Sequence, residues 1–369
     1  AARLEVTVDG QTSVLEQALD FLASPHFTEP DVQIRAPLVF AGYGVEAPEL
    51  GYSDFDGVDL RGKIAVVLGK APPRFPATAL AHHAHNREKA RQLVAHGAVG
   101  VLTVLTPKDL EDQPWPRQVN RSRFPDMRWT QPDGTPADVV PQLKASLRIG
   151  PRSVDRLFAK SPKPFPEILA AAARSERQSF PLNAEATIAT RTEHRRLASL
   201  NVLGVLPGSD PALRGEALVF TAHLDHQGRG PAVNGDTICN GAYDNAIGIA
   251  MMLEVARALA AREPAPRRTV VFAAVTAEEK GLVGSDFLAQ HLPAAVGRPV
   301  ANINLDMVLV TQPTHTYTAL GMEHSSLRDP VTVAAKRFGI ELMPDPQPDR
   351  VTFVRSDLRS EEHTSELQS

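Results

Sequence analysis

The chain has one cysteine, Cys239, in 369 residues. A lone cysteine excludes an internal disulfide framework and any zinc cluster built on thiolates. It leaves the compartment open. No apolar run is long enough to cross a membrane. Lys and Arg number 39 against 43 Asp and Glu, for a net charge of −4. They form no dense basic stripe, so a nucleic-acid partner is not expected. No signal-peptide pattern is visible at Ala1, and the chain opens without Met. What remains is a composition normal for a globular protein, 43% hydrophobic and 22% charged, with length for two domains.

The first half reads as β-rich. Leu38–Ala41, Lys63–Leu68 and Gly100–Leu105 are short apolar runs with the look of buried strands. Arg87–His96 has helical spacing and ends at Gly97. Strand, helix, strand suggests a small α/β or β-sandwich-like module. From about Thr106 to Pro181 the chain is rich in Pro and Arg and reads as irregular, with a short Ala-rich helix over Glu167–Arg174. A boundary is placed near Ala186. The second half alternates strand and helix, which implies a mainly parallel sheet. Strands are expected at Leu218–Ala222, Arg268–Val275 and Ala301–Leu305. Helices are expected over Ala246–Arg262, where Ile247, Met251, Val255 and Leu259 share a face, and over Gly284–His291.

The chemistry lies where these strands end. The first runs into His223-Leu224-Asp225, the second into Glu278-Glu279, and the third into Asp306; Asp244 precedes the first helix. Ligands of an open α/β sheet bind at the carboxyl ends of its strands, so these side chains can meet on one rim. His, Asp and Glu are suitable zinc ligands where cysteine is absent. Two residues apart on a strand, Asp225 can reach the far nitrogen of His223 and orient the ring. Asp244 can offer both carboxylate oxygens and bridge two metals. Of the adjacent Glu278 and Glu279, one can bind metal while the other takes a proton from a metal-bound water. Taken singly, each residue also has an ordinary role: a hydrogen-bonded His–Asp pair, a helix cap, a solvated turn. Their order on successive elements of one sheet favours the metal centre. His82, His83 and His85 cluster in a loop and offer a weaker second candidate.

At these positions the sequence resembles the M28 family of zinc peptidases, the aminopeptidase Y and bacterial leucyl aminopeptidase group. The matching stretches are Thr221-Ala-His-Leu-Asp-His226, Asn240-Gly-Ala-Tyr-Asp-Asn-Ala-Ile-Gly248, Thr276-Ala-Glu-Glu-Lys-Gly-Leu-Val-Gly-Ser285 and Asn304-Leu-Asp-Met307, led in by Asn201-Val-Leu-Gly-Val-Leu-Pro-Gly208. The likeness covers roughly Ser199 to Asp357. It implies a phosphorylase/hydrolase-like α/β fold, a mainly parallel sheet flanked by helices. It implies two zinc ions: His223 and Asp306 on one, Glu279 on the other, Asp244 bridging, Glu278 as general base and Asp225 orienting His223. The implied reaction is removal of an N-terminal residue from peptides with a free N-terminus. The implied location is secreted or periplasmic.

Residues 1–185 resemble an inserted, non-catalytic protease-associated (PA) domain plus a connector. This rests on Leu38-Val-Phe-Ala-Gly-Tyr-Gly44, Asp59-Leu-Arg-Gly-Lys-Ile-Ala-Val-Val67 and Lys89–Val101. Residues 186–357 then form an incomplete peptidase domain. The family's helical segment before the insertion has no counterpart, and the family's late Ser-Asp-His motif reads Ser356-Asp357-Leu358. The polar stretch 358–369 has no periodicity and reads as a non-native tail. His363 within it is not assigned as a ligand. Truncation at both ends is the expectation. Two other readings stay open: a related zinc enzyme of the same fold (a carboxypeptidase or glutaminyl cyclase), or a non-catalytic binding protein with a degenerate site.

Overall fold

The computed structural model describes residues 2–308, 314–322 and 325–345. The chain divides into two compact units. Of the described residues, the first contains those up to 126 and 130–196; the second contains 127–129 and those from Leu197 onward. Ala186 lies inside a long strand of the first unit.

The first unit contains β1 (Ala2–Val8), β2 (Gln11–Leu15), β3 (Phe21–Ala23), β4 (Asp31–Ala41), a short pair β5 (Glu46–Ala47) and β6 (Tyr52–Ser53), β7 (Ile64–Leu68), β8 (Gly100–Val104), β9 (Ala145–Ile149) and β10 (Ser179–Arg191). Its helices are α1 (Ala77–Ala84), α2 (Asn86–Ala95), α3 (Pro107–Asp112), α4 (Trp115–Arg121), α5 (Val154–Phe158) and α6 (Phe165–Ala173). Eight strands form one mixed sheet in the order β2-β1-β10-β4-β7-β8-β9-β3. Both faces of its centre are covered. Leu38, Phe40, Ile64, Val66 and Leu68 pack on one side, and Val39, Ala41, Ala65 and Val67 on the other. A strand buried on both faces has no polar alternation, which is why these segments read as unbroken apolar runs.

The stretch Thr106–Pro181, read from sequence as irregular, carries regular elements on both sides of an irregular segment over 122–144. It holds α3 to α6, β9 and the start of β10. The helices have five to nine residues, too few turns for a hydrophobic period to show. Three of them carry proline in the first turn, where its missing N–H costs nothing. Prolines that read as breakers are helix starts here.

The second unit contains β11 (Val202–Leu206), β12 (Glu216–His223), a hairpin β13 (Gly228–Val233) and β14 (Asp236–Cys239), α7 (Ile247–Ala260), β15 (Thr269–Val275), α8 (Val283–Gln290) and β16 (Arg298–Asn304). Four strands form a sheet in the order β11-β15-β12-β16. β15 and β16 run parallel to β12, and β11 is antiparallel at the edge. The mainly parallel sheet flanked by helices is therefore present. Ala217, Val219 and Val271 pack on one face, and Ala222, Val270 and Phe272 on the other against Met252 of α7. Full burial of each Val, Phe or Met side chain among these contributes on the order of 1.5–3 kcal/mol. Trp129 also belongs to this unit. Its indole N–H donates to Asp286 of α8 at 2.6 Å, and its ring meets Phe287 and His291 edge-on.

Candidate metal centre

The register of the parallel strands places the site. His223 ends β12 beside Val275, the last residue of β15, while Thr221 pairs with Asn304, the last residue of β16. The three strands thus finish together, with β12 between the other two. Residues just past these ends must meet above the sheet rim. Leu224 N–H donates to Val275 O at 2.8 Å, and Leu305 N–H to Thr221 O at 2.9 Å, which carries the alignment beyond the strands. Thr221, fully buried, donates its hydroxyl to Asn304 at 2.9 Å.

Two groups of metal-capable side chains result. One is His223, Asp244 and Asp306; the other is His226, Asp244 and Glu279; within each group, one ligand atom per residue lies within 4.8 Å of the others. Asp244 belongs to both, and its two oxygens divide between them. Oδ1 lies 3.2 Å from His223 Nε2, and Oδ2 lies 3.7 Å from His226 Nδ1. On the β16 side, His223 Nε2 is 3.5 Å from Asp306 Oδ1. On the β15 side, His226 Nδ1 is 2.9 Å from Glu279 Oε1. Among the described residues, no such group includes His82, His83 or His85. His83 is buried with its Nε2 3.4 Å from Glu49.

The tautomer of His223 follows from its partner. Its Nδ1 lies 3.0 Å from the main-chain carbonyl of Asp225, which can only accept. Nδ1 therefore carries the hydrogen, and in the neutral ring Nε2 presents a lone pair toward Asp244 and Asp306. A lone pair aimed at two carboxylates is stabilised by a cation placed between them. Asp306 Oδ1 and His226 Nδ1 are both buried and have no hydrogen-bond partner among the described residues. Like charges about 4 Å apart repel by about 4 kcal/mol at an effective dielectric of 20. Imidazole nitrogens and carboxylate oxygens in this arrangement fit a borderline-soft divalent ion such as zinc.

Asp225 stands differently from the sequence expectation. Its carboxylate is 3.9 Å from His223 Nδ1, and the ring is oriented by the backbone carbonyl instead. β12 stops at His223, so strand pleating no longer governs where Asp225 points. The carboxylate instead accepts the amides of Glu278 at 3.0 Å and Glu279 at 3.3 Å. Those two glutamates begin a single 3-10 turn, Glu278–Lys280. The turn is tightly wound: Ala277 (φ 57°) and Leu282 (φ 61°) both adopt the left-handed conformation. For residues with a Cβ this costs roughly 1–2 kcal/mol each. Asn201 clamps its two ends, accepting from Thr276 N at 3.1 Å and donating to Gly284 O at 2.8 Å. Glu279 is further held by Gln227, whose side-chain amide donates to Oε2.

Asp244 lies just before α7, in a segment where it and Asn245 leave helical geometry. Asn245, almost fully buried, ties three elements together. It accepts from Gly248 N at 3.1 Å and Met307 N at 3.2 Å, and it donates to Leu305 O at 2.9 Å. One side chain thus caps α7 and fixes the backbone on both sides of Asp306. Neither Asn245 nor His226 was assigned a role from sequence. Gly248 makes the contact possible: a Cβ there would stand 2.3 Å from Leu305 O and 2.4 Å from Asn245 Oδ1. Gly248→Ala gains about 1 kcal/mol of helix propensity. The overlap and lost hydrogen bond cost more, about 2–4 kcal/mol together. The variant is expected to melt several degrees lower in a thermal scan; an unchanged or higher Tm contradicts the clamp.

Residues 201–364 match the model of peptidase family M28. The chain is 24% identical over 323 residues to aminopeptidase NAALADL1 of Rattus norvegicus, covering 76% of this chain and 40% of the relative. It is 36% identical over 108 residues to a probable zinc metalloprotease of Pyrenophora tritici-repentis, 29% of this chain and 21% of that protein. The chain thus spans less than half the length of these curated relatives. An aminopeptidase from Aneurinibacillus sp. strain AM-1 shares the fold at a TM-score of 0.53 and 21% identity, over 99% of this chain and 69% of that one. Over residues 201–364, then, the chain is similar to peptidase family M28.

Proposed function

We propose that the protein is a zinc-dependent aminopeptidase with two metal positions sharing Asp244. The observation that carries this reading is the division of the two Asp244 oxygens between two imidazole–carboxylate groups. His223, Asp306 and Asp244 would hold one zinc, and Glu279 with Asp244 the other. Bound there, zinc supplies Lewis acidity and brings the pKa of a water down toward neutrality. Glu278, presented beside Glu279 by the Asp225-held turn, takes the proton of the attacking water and returns it to the leaving amine.

Charge supports an N-terminal preference. Asp244, Glu279 and Asp306 converge at one rim, and the turn held by Asp225 carries Glu278 next to Glu279, five acidic residues in all. Two divalent ions neutralise four of those charges, and the remainder suits a substrate's α-ammonium better than a terminal carboxylate. The first unit, with its α/β sheet buried on both faces, is the non-catalytic PA-like partner in this reading.

The test uses an aminoacyl p-nitroanilide, its N-acetylated form and an N-blocked peptide with a free C-terminus. The free-amine substrate is expected to be cleaved, with activity lost on chelation and restored by Zn2+. Cleavage of the C-terminal substrate alone would indicate a carboxypeptidase. Chelator-insensitive activity, or none on any substrate, would end the zinc-peptidase reading.

A further inference from the structure

We infer that His226 supplies the nitrogen donor of the second metal position, opposite His223 across Asp244. The inference rests on the two-metal reading above and adds a ligand to it.

His226 follows the strand-end motif, but its ring is turned into the carboxylate cluster. Nδ1 is buried, although the side chain as a whole is 24% exposed. It lies 2.9 Å from Glu279 Oε1 and 3.7 Å from Asp244 Oδ2, without hydrogen-bond geometry to any described residue. Gln227 takes Glu279 Oε2, so the other oxygen, Oε1, is the one directed at His226. The ring fits because of Gly241, in the left-handed conformation (φ 66°). A Cβ there would stand 2.7 Å from His226 Cβ. The backbone next to Asp244 is thus built to let this imidazole approach.

With His226 counted, the two positions become chemically equivalent. Each has one imidazole, one carboxylate of its own and a share of Asp244. Three protein donors with one position left for water or substrate is the usual arrangement of a catalytic zinc. The late histidine that the family resemblance leads one to expect is replaced by Leu358, which lies outside the described residues. His226 places an imidazole on the β15 side without it. The competing role is that of a positioning residue, donating a hydrogen bond to Glu279 without touching metal.

The experiment is zinc titration of the metal-free full chain by calorimetry, with far-UV circular dichroism to confirm folding. Wild type is expected to bind two zinc ions. His226→Ala should keep one at near wild-type affinity and weaken the other by about a hundredfold or more. His226→Gln keeps a hydrogen-bond donor and should lose the second zinc equally. X-ray absorption should count one imidazole per zinc in wild type. Two zinc ions bound normally by both variants would overturn this inference alone. So would loss of the second zinc in His363→Ala with retention in His226→Ala. A wild-type chain that binds no zinc would overturn this inference and the proposed function together.

Discussion

Asp244→Ala is expected to weaken both metal positions at once, whereas removal of any other single ligand weakens one. The reason is geometric. Each Asp244 oxygen faces a different group, 3.2 Å from His223 Nε2 and 3.7 Å from His226 Nδ1. Among the described residues, no other side chain belongs to both groups. Without it, each position falls to two protein donors, and the anionic charge that attracts the pair of cations drops. Zinc content after dialysis against a weak chelator should fall toward zero, and turnover by about 10³-fold or more, equivalent to roughly 4 kcal/mol of lost stabilisation. The fold should survive, because the Asp244 side chain is 31% exposed while the neighbouring clamp is made by Asn245. Asp306→Ala provides the comparison: it should lose one zinc and keep the other. If Asp244→Ala also lost only one, the bridge would be wrong and the two groups would be independent.

The contrast between Asp244 and its neighbours shows what a sequence can disclose. Strand ends were legible because parallel strands buried on both faces make unbroken apolar runs, and the polar residue that stops each run is conspicuous. Glu279 is found this way after β15, and His223 at the end of the β12 run. Asp306 follows β16, which has no buried residue and carries Asn302 and Asn304, and is found from its place after the third strand. The Ile247–Leu259 stripe of α7 points back to Asp244. The tertiary roles were not legible. His226 lies three residues beyond the end of β12, where the two-residue period has lapsed and only the path of the loop decides which way the ring turns. Asp225 shows the same limit. Its spacing suggests a carboxylate–imidazole pair, but its carboxylate serves amides 53 and 54 residues away in sequence. Asn245 bonds residues up to 62 positions distant, which no local pattern encodes. In the first unit the pairing of β1 with β10 joins Ala2 to Thr190, so its eight-stranded sheet could not be assembled from short-range signals.

The same turn that Asp225 holds separates two adjacent glutamates into different duties, and Glu278→Gln tests that separation. The amide keeps the size and one oxygen of the side chain but cannot take a proton. If Glu278 moves the proton of the attacking water, kcat should fall by about 10²–10⁴-fold, the usual worth of a positioned general base. KM and bound zinc should change little, because substrate and metal are held elsewhere. Glu279→Gln should behave in the opposite way. Glu279 Oε1 lies 2.9 Å from His226 in the second group, so its variant should lose one zinc ion, and its loss of activity should be partly recovered by excess Zn2+. Both backbone amides stay on Asp225 in either variant, so the turn itself is not at stake. The paired outcome is decisive between enzyme and binder. A protein that only binds has no use for Glu278, and its zinc content and ligand affinity would pass through Glu278→Gln unchanged with no turnover to lose. A kcat unchanged by Glu278→Gln in an active chain would instead move the proton-transfer role to another residue at this rim.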